Sequence, residues 1–138
     1  MKLKRLVPSV IGSNTYLLFD NSGNAAVIDP GAPGNEILKA IKDENACLTM
    51  ILLTHGHFDH LLGLERLRAE FPDAQIFIHA DDAEMMSDGH KNAFFDFFKG
   101  ESSVKGNAFK SAFNKVKNVK ELDFTLKKKL NGTLSCTV

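Results

Sequence analysis

The sequence predicts an α/β layered fold, and three observations carry that expectation. Residues 1–80 alternate between short β-rich stretches and helical patterns, the apolar run Leu48–Leu53 reads as a strand covered on both faces, and Pro/Gly-rich breaks separate the pieces. With 138 residues the chain is read as a single domain, and its 43% hydrophobic and 25% charged content is that of an ordinary globular protein.

Taken in order, Lys2–Val7 is a short strand stopped by Pro8. Residues 13–29 form a hairpin: the β-rich stretch Ser13–Phe19, the turn cluster Asp20-Asn21-Ser22-Gly23-Asn24, and the returning run Ala25–Ile28. Asp29-Pro30-Gly31-Ala32-Pro33-Gly34 forbids continuation of either element. Asn35 is placed as the N-cap of an amphipathic helix through Ile37, Leu38 and Ile41 to Asp43. A strand over Leu48–Leu53 follows, then a loop. A helix is expected to begin directly after His60, through Leu61, Leu62, Leu64 and Leu67, and to stop at Phe71-Pro72-Asp73. Ala74–His79 reads as a strand and Asp81–Met86 as a short helix with acids in its first turn.

Beyond His90 the pattern weakens. Phe94, Phe95, Phe97 and Phe98 suggest a packed helix, 100–117 reads as a loop or linker, and Val119–Leu130 as one last strand before the Asn131-Gly132 turn signal. Cys47 and Cys136 do not make a disulfide framework, and Cys47 is expected to act as a small apolar side chain.

The chemistry concentrates in Thr54-His55-Gly56-His57-Phe58-Asp59-His60, which holds three of the five histidines. Imidazole nitrogen and carboxylate oxygen are the usual ligands of zinc and related first-row metals. Residues two apart on an extended loop point the same way, so His55 and His57 suit one metal. Asp59 and His60, where loop turns into helix, suit a second. Two metals about 3.5–4 Å apart share a hydroxide, activate it at neutral pH and polarise the carbonyl it attacks.

Charge points elsewhere than to polyanions. Seventeen basic and seventeen acidic side chains cancel, although residues 1–100 carry nine Lys/Arg against fourteen Asp/Glu and residues 101–138 eight Lys against three acids. The basic tail lacks arginine and a stacking pattern of aromatics, so neither nucleic acid nor membrane is expected as partner. No signal peptide or apolar run of about 18 residues is visible, so a cytosolic location is expected.

The loop motif after an apolar strand resembles the signature of the metallo-β-lactamase superfamily. The strand start Ser13-Asn14-Thr15-Tyr16 and the segment Val27-Ile28-Asp29-Pro30-Gly31 agree with its glyoxalase II-like (hydroxyacylglutathione hydrolase-like) branch. The resemblance covers about residues 1–100 and leaves 101–138 as an atypical Lys-rich tail. It implies an αββα sandwich, a two-zinc centre in which iron or manganese is tolerated, and hydrolysis of a small thioester or ester by metal-bound hydroxide. By position it implies His55 and His57 as first-site ligands and Asp59 and His60 as second-site ligands. Asp59 would also lie near the activated water, and Asp29 would order the metal loop through hydrogen bonds.

The chain departs from that pattern downstream. The histidine of a Pro-Gly-His-Thr-like turn, a bridging aspartate and a final histidine are absent, and His79 and His90 are not expected to replace them. The expectation is therefore the N-terminal part of the sandwich with its second sheet largely missing and two protein ligands per metal. Two alternatives follow: a truncated remnant with impaired or no catalysis, or a site completed in trans by a homodimer through the exposed sheet.

Overall fold

The structure, a computed structural model, describes residues 1–8, 11–86, 88 and 90–93, and the backbone of 120–122. Six strands form one sheet in sequential order: β1 (Lys2–Leu6), β2 (Thr15–Phe19), β3 (Asn24–Ile28), β4 (Cys47–Leu52), β5 (Gln75–His79) and β6 (Lys120–Leu122). The first three are antiparallel neighbours, and β3, β4, β5 and β6 run parallel to one another. Two helices, α1 (Gly34–Asp43) and α2 (Leu64–Glu70), fill the β3–β4 and β4–β5 crossovers, as parallel strands require.

The hairpin turns where its composition predicts. The Asp20 carboxylate accepts the amides of Ser22 and Asn24, each at 2.8 Å, and the Asn24 side-chain amide, also at 2.8 Å. Gly23, at φ 82°, supplies the left-handed residue. The same hydrogen bonds hold the Asp20 carboxyl below its ordinary pKa, the Asn24 side chain contributing most.

One sheet face carries the main core. Leu17, Val27, Ile51 and Ile78 from the strands meet Ile37 and Ile41 of α1 and Leu64 and Leu67 of α2, all fully buried. Period-2 alternation would place Leu48 and Ile51 on opposite faces. A register shift opposite Ala25/Ala26 puts an extra residue into β4, so both face the helices. The opposite face carries a smaller buried cluster of Ala26, Met50 and Phe77 with Leu18 and Leu52 beside it. The expectation that β4 is covered on both faces is met, and among the described residues there is one sheet.

Several boundaries differ from the sequence expectation. Asn35 is not the N-cap: the Pro33 carbonyl accepts the Glu36 and Ile37 amides, so α1 starts at Gly34, and the Asn35 side chain accepts from Arg66 Nε at 3.1 Å. The helix expected directly after His60 is delayed to Leu64. A 3₁₀ turn spans Phe58–His60, and the Gly63 amide donates to Pro30 O at 2.7 Å rather than into a helical ladder. Ala80–Met86 is a 3₁₀ segment. Cys47, half-buried at the start of β4, is not a free thiol acting as an apolar side chain, since no described cysteine is free. The expectations for Phe94–Phe98, for 100–117, for the strand beyond Leu122 and for Asn131-Gly132 lie outside the described residues. No described helix is long and apolar enough to cross a membrane.

Candidate metal centre

The candidate site is built where the C-terminal ends of β3 and β4 release the chain. β3 ends at Ile28, and Asp29 follows with φ 48°, a left-handed conformation that aspartate tolerates better than most residues. Its amide donates to Leu52 O at 2.9 Å, which ties it to the end of β4. Its carboxylate takes up the first residue of the loop: Oδ1 accepts the Thr54 amide at 2.8 Å and Oδ2 the Thr54 hydroxyl at 2.6 Å. Asp29 is buried, so these bonds act at low local dielectric.

The Asp29–Thr54 pair sets the direction of the hydrogen bonds beyond it. A hydroxyl has one hydrogen and an ionised carboxylate only accepts, so Thr54 Oγ1 donates to Asp29. Thr54 Oγ1 then accepts from His55 Nδ1, 3.0 Å away, which leaves the Nε2 lone pair of His55 directed outward. That Nε2 lies 3.0 Å from His57 Nδ1. The His55 ring meets His57 edge-on with centroids 4.6 Å apart and His60 at 4.0 Å. Burial holds the His55 imidazole below the ordinary histidine pKa; the positive potential of His60 and His57 acts the same way, against Asp29 and Asp59. A histidine kept neutral has its lone pair available to a metal.

His60 sits between the two acids. Its Nδ1 is 3.1 Å from Asp29 Oδ2, yet that buried nitrogen makes no hydrogen bond of acceptable angle. Asp29 Oδ2 is already engaged by Thr54. His60 Nε2 lies 3.6 Å from Asp59 Oδ2. Asp59 has the more open carboxylate, its side chain 35% exposed against 8% for Asp29.

Backbone packing fixes Asp59 from the other side. The Ser13 amide and hydroxyl both donate to Asp59 O, at 3.0 and 3.3 Å. Gly31 lies against this junction, where a Cβ would sit 2.4 Å from Asp59 O and 2.6 Å from Ser13 N. A third wall comes from Met85 and Asn92: a Cβ on Gly56 would lie 2.5 Å from Met85 Cβ, and the Phe58 amide donates to Asn92 O at 3.1 Å.

All five residues that the sequence singled out, Asp29, His55, His57, Asp59 and His60, are thus brought together at one sheet end. His79 and His90 are engaged differently. His79 Nδ1 accepts the Asp81 amide at 3.3 Å, and the exposed His90 donates its amide to Asp88. Sequence reasoning missed Thr15, Thr54 and Asn92 as supports. The first two were in view only as strand and motif neighbours, and a lone asparagine among phenylalanines carries no signal.

The four candidate ligands fit a divalent metal in kind, three imidazoles and a carboxylate, and they come as the facing pairs His55/His57 and Asp59/His60. Among the described residues no three His, Cys, Asp or Glu side chains converge on one ion position. Each pair supplies two of the three or four protein ligands that zinc sites generally use.

Comparison with known proteins agrees with this geometry. Residues 9–130 match the family described as the metallo-beta-lactamase superfamily. The chain is 34% identical over 92 residues to "Probable metallo-hydrolase M6_Spy0554" of Streptococcus pyogenes, covering 67% of this chain and 39% of that one. It is 41% identical over 70 residues to "Hydroxyacylglutathione hydrolase 1" of Vibrio vulnificus, covering 51% and 28%. The solved BLEG-1 B3 metallo-beta-lactamase superposes with a TM-score of 0.65 at 26% identity, over 72% of this chain and 47% of that one. The matched part therefore spans less than half the length of each of these proteins. The fold, the histidine loop and these matches together place the chain in the metallo-β-lactamase superfamily, with hydroxyacylglutathione hydrolases among its relatives.

Proposed function

We propose that the chain acts as a metal-dependent hydrolase of the metallo-β-lactamase fold on a small thioester or ester, with zinc as metal and iron or manganese as alternatives. The observation that carries this reading is the grouping of His55, His57, Asp59 and His60, as two facing pairs, on one loop pinned by Asp29. His55 would bind through Nε2 and His57 through Nδ1, with Asp59 and His60 forming the second pair. When bound, a divalent metal lowers the pKa of water toward neutrality and polarises the carbonyl under attack. The chain's own residues do the rest. Asp29 and Thr54 hold the His55 proton on Nδ1, and the open Asp59 carboxylate orients the attacking water and takes its proton. The relatives named hydroxyacylglutathione hydrolase favour a thioester substrate.

The test is hydrolysis of S-lactoylglutathione and of simple thioesters by protein reconstituted with zinc, iron or manganese. Metal-dependent turnover lost in Asp59→Asn supports the reading, and absence of turnover with all three metals removes it.

A second reading has its own observation, the lack of a three-donor cluster among the described residues. In it the chain binds metal without turning over substrate, or acts only when a second copy completes the site. Sedimentation with and without zinc separates the two: a zinc-dependent dimer supports completion in trans, and a monomer in both conditions contradicts it.

A further inference from the structure

We infer that Thr15 is a positioning residue for the metal loop, acting through the backbone of Asp29; the inference rests on the metal-site reading above. Thr15 opens β2 and is fully buried, an uncommon place for a hydroxyl on the rim of a core. Its Oγ1 is used twice: it donates to Asp29 O at 2.8 Å and accepts the Ala32 amide at 2.8 Å. The Ala32 amide can only donate, so the single hydroxyl hydrogen must go to Asp29.

These two bonds span the turn that follows β3. Gly31 N also donates to Asp29 O, at 2.7 Å, closing a three-residue turn around Pro30. The Asp29 carbonyl thus takes two donors while its amide is tied to Leu52. Both peptide groups of this left-handed residue are held, so its side chain has one direction in which to leave the backbone. That direction carries the carboxylate to Thr54 and His60. The Thr15 hydroxyl bonds the Asp29 carbonyl and the Ala32 amide, not the candidate ligands. It sets the residue that sets them.

Thr15→Val keeps the shape and removes both bonds, and Thr15→Ser restores them. The expected result is zinc binding weakened about ten-fold in Thr15→Val, the scale seen for outer-shell partners of metal ligands, and recovery to within about two-fold in Thr15→Ser. A second reading needs no metal: ¹⁵N NMR of the His60 ring in metal-free protein. In wild type and Thr15→Ser the Nδ1 signal keeps one position, and in Thr15→Val it moves, because Asp29 no longer faces it. If Thr15→Val fails to fold, Thr15→Ala removes the same hydroxyl without setting a methyl group against the Asp29 carbonyl, and carries the same expectations. A folded Thr15→Val or Thr15→Ala with wild-type zinc affinity and an unmoved His60 signal overturns the inference. Wild-type protein that binds no zinc overturns the metal-site reading instead, and the NMR comparison still decides the role of Thr15.

Discussion

Asp29 holds Thr54 by both ends of its carboxylate, Oδ1 on the amide at 2.8 Å and Oδ2 on the hydroxyl at 2.6 Å. Thr54 precedes the first histidine, so this clamp decides how the loop leaves β4. Asp29→Ala leaves an amide and a hydroxyl without their acceptor, a loss of about 1–3 kcal/mol in stability. Zinc affinity should fall about 10–100-fold. Urea denaturation and a zinc titration of the variant check the two figures separately. A loss of stability with unchanged affinity would show that the clamp serves the fold alone.

Gly31 and Gly23 give a paired test of crowding against backbone conformation. A Cβ on Gly31 meets backbone atoms of Asp59 and Ser13 that have no freedom to retreat, whereas Gly23 has only Asn45 O, at 3.9 Å. Gly31→Ala is expected to cost about 3 kcal/mol, the upper end for overpacking, and to weaken metal binding as Asp59 shifts. Gly23→Ala, strained only by its left-handed φ, should cost about 1–2 kcal/mol and leave metal binding alone. Equal effects of the two on zinc affinity would contradict the assignment of Gly31 to the site.

Asn92 is fully buried, and its side-chain amide donates to Met85 O at 3.0 Å while its carbonyl accepts the Phe58 amide. Asn92→Ala removes the first bond and should cost about 1–3 kcal/mol. The amide of Phe58 should then exchange with solvent at least about ten-fold faster, since the segment that covers it is no longer fixed. Unchanged Phe58 protection in a folded variant would mean that the carbonyl contact needs no help from the side chain.

The depressed His55 pKa gives the metal-free protein a definite pH response. The folded state binds a proton at His55 less readily than the unfolded chain, because burial and the neighbouring His60 and His57 oppose the charge. Between the two pKa values the unfolded chain carries more protons, so stability rises with pH there. Stability is lost as pH falls below the usual histidine value of about 6.5, and the loss levels off once folded His55 is itself protonated. The melting temperature of metal-free protein should drop as pH falls through about 6.5, and His55→Gln should flatten part of that drop. A variant as pH-sensitive as wild type would assign the response to other groups.

The sequence was most informative where one local rule decides the outcome. The Asp20–Asn24 cluster announced its hairpin, and the apolar run at residues 48–53 announced a strand buried on both faces. The four candidate ligands were legible because histidines crowded into six residues have little other reason to be there. Boundaries set by distant partners were not legible. The start of α1 depends on the Pro33 carbonyl, and the delayed start of α2 on a bond from Gly63 to Pro30. The supports Thr15 and Asn92 were hidden for the same reason: a hydroxyl in a strand or an amide in a turn shows its use only when the fold brings Asp29 or Phe58 to it.

Metal binding by this chain is the property on which the roles of Asp29, Thr54 and the four candidate ligands all depend. Elemental analysis of protein purified without added metal, followed by zinc titration of wild type and of a His55→Ala/His57→Ala variant, reads it directly. The expected result is about one metal or more per chain in wild type and a loss of at least half of it in the variant. Wild-type protein holding less than about 0.3 metal per chain even after zinc addition would contradict it.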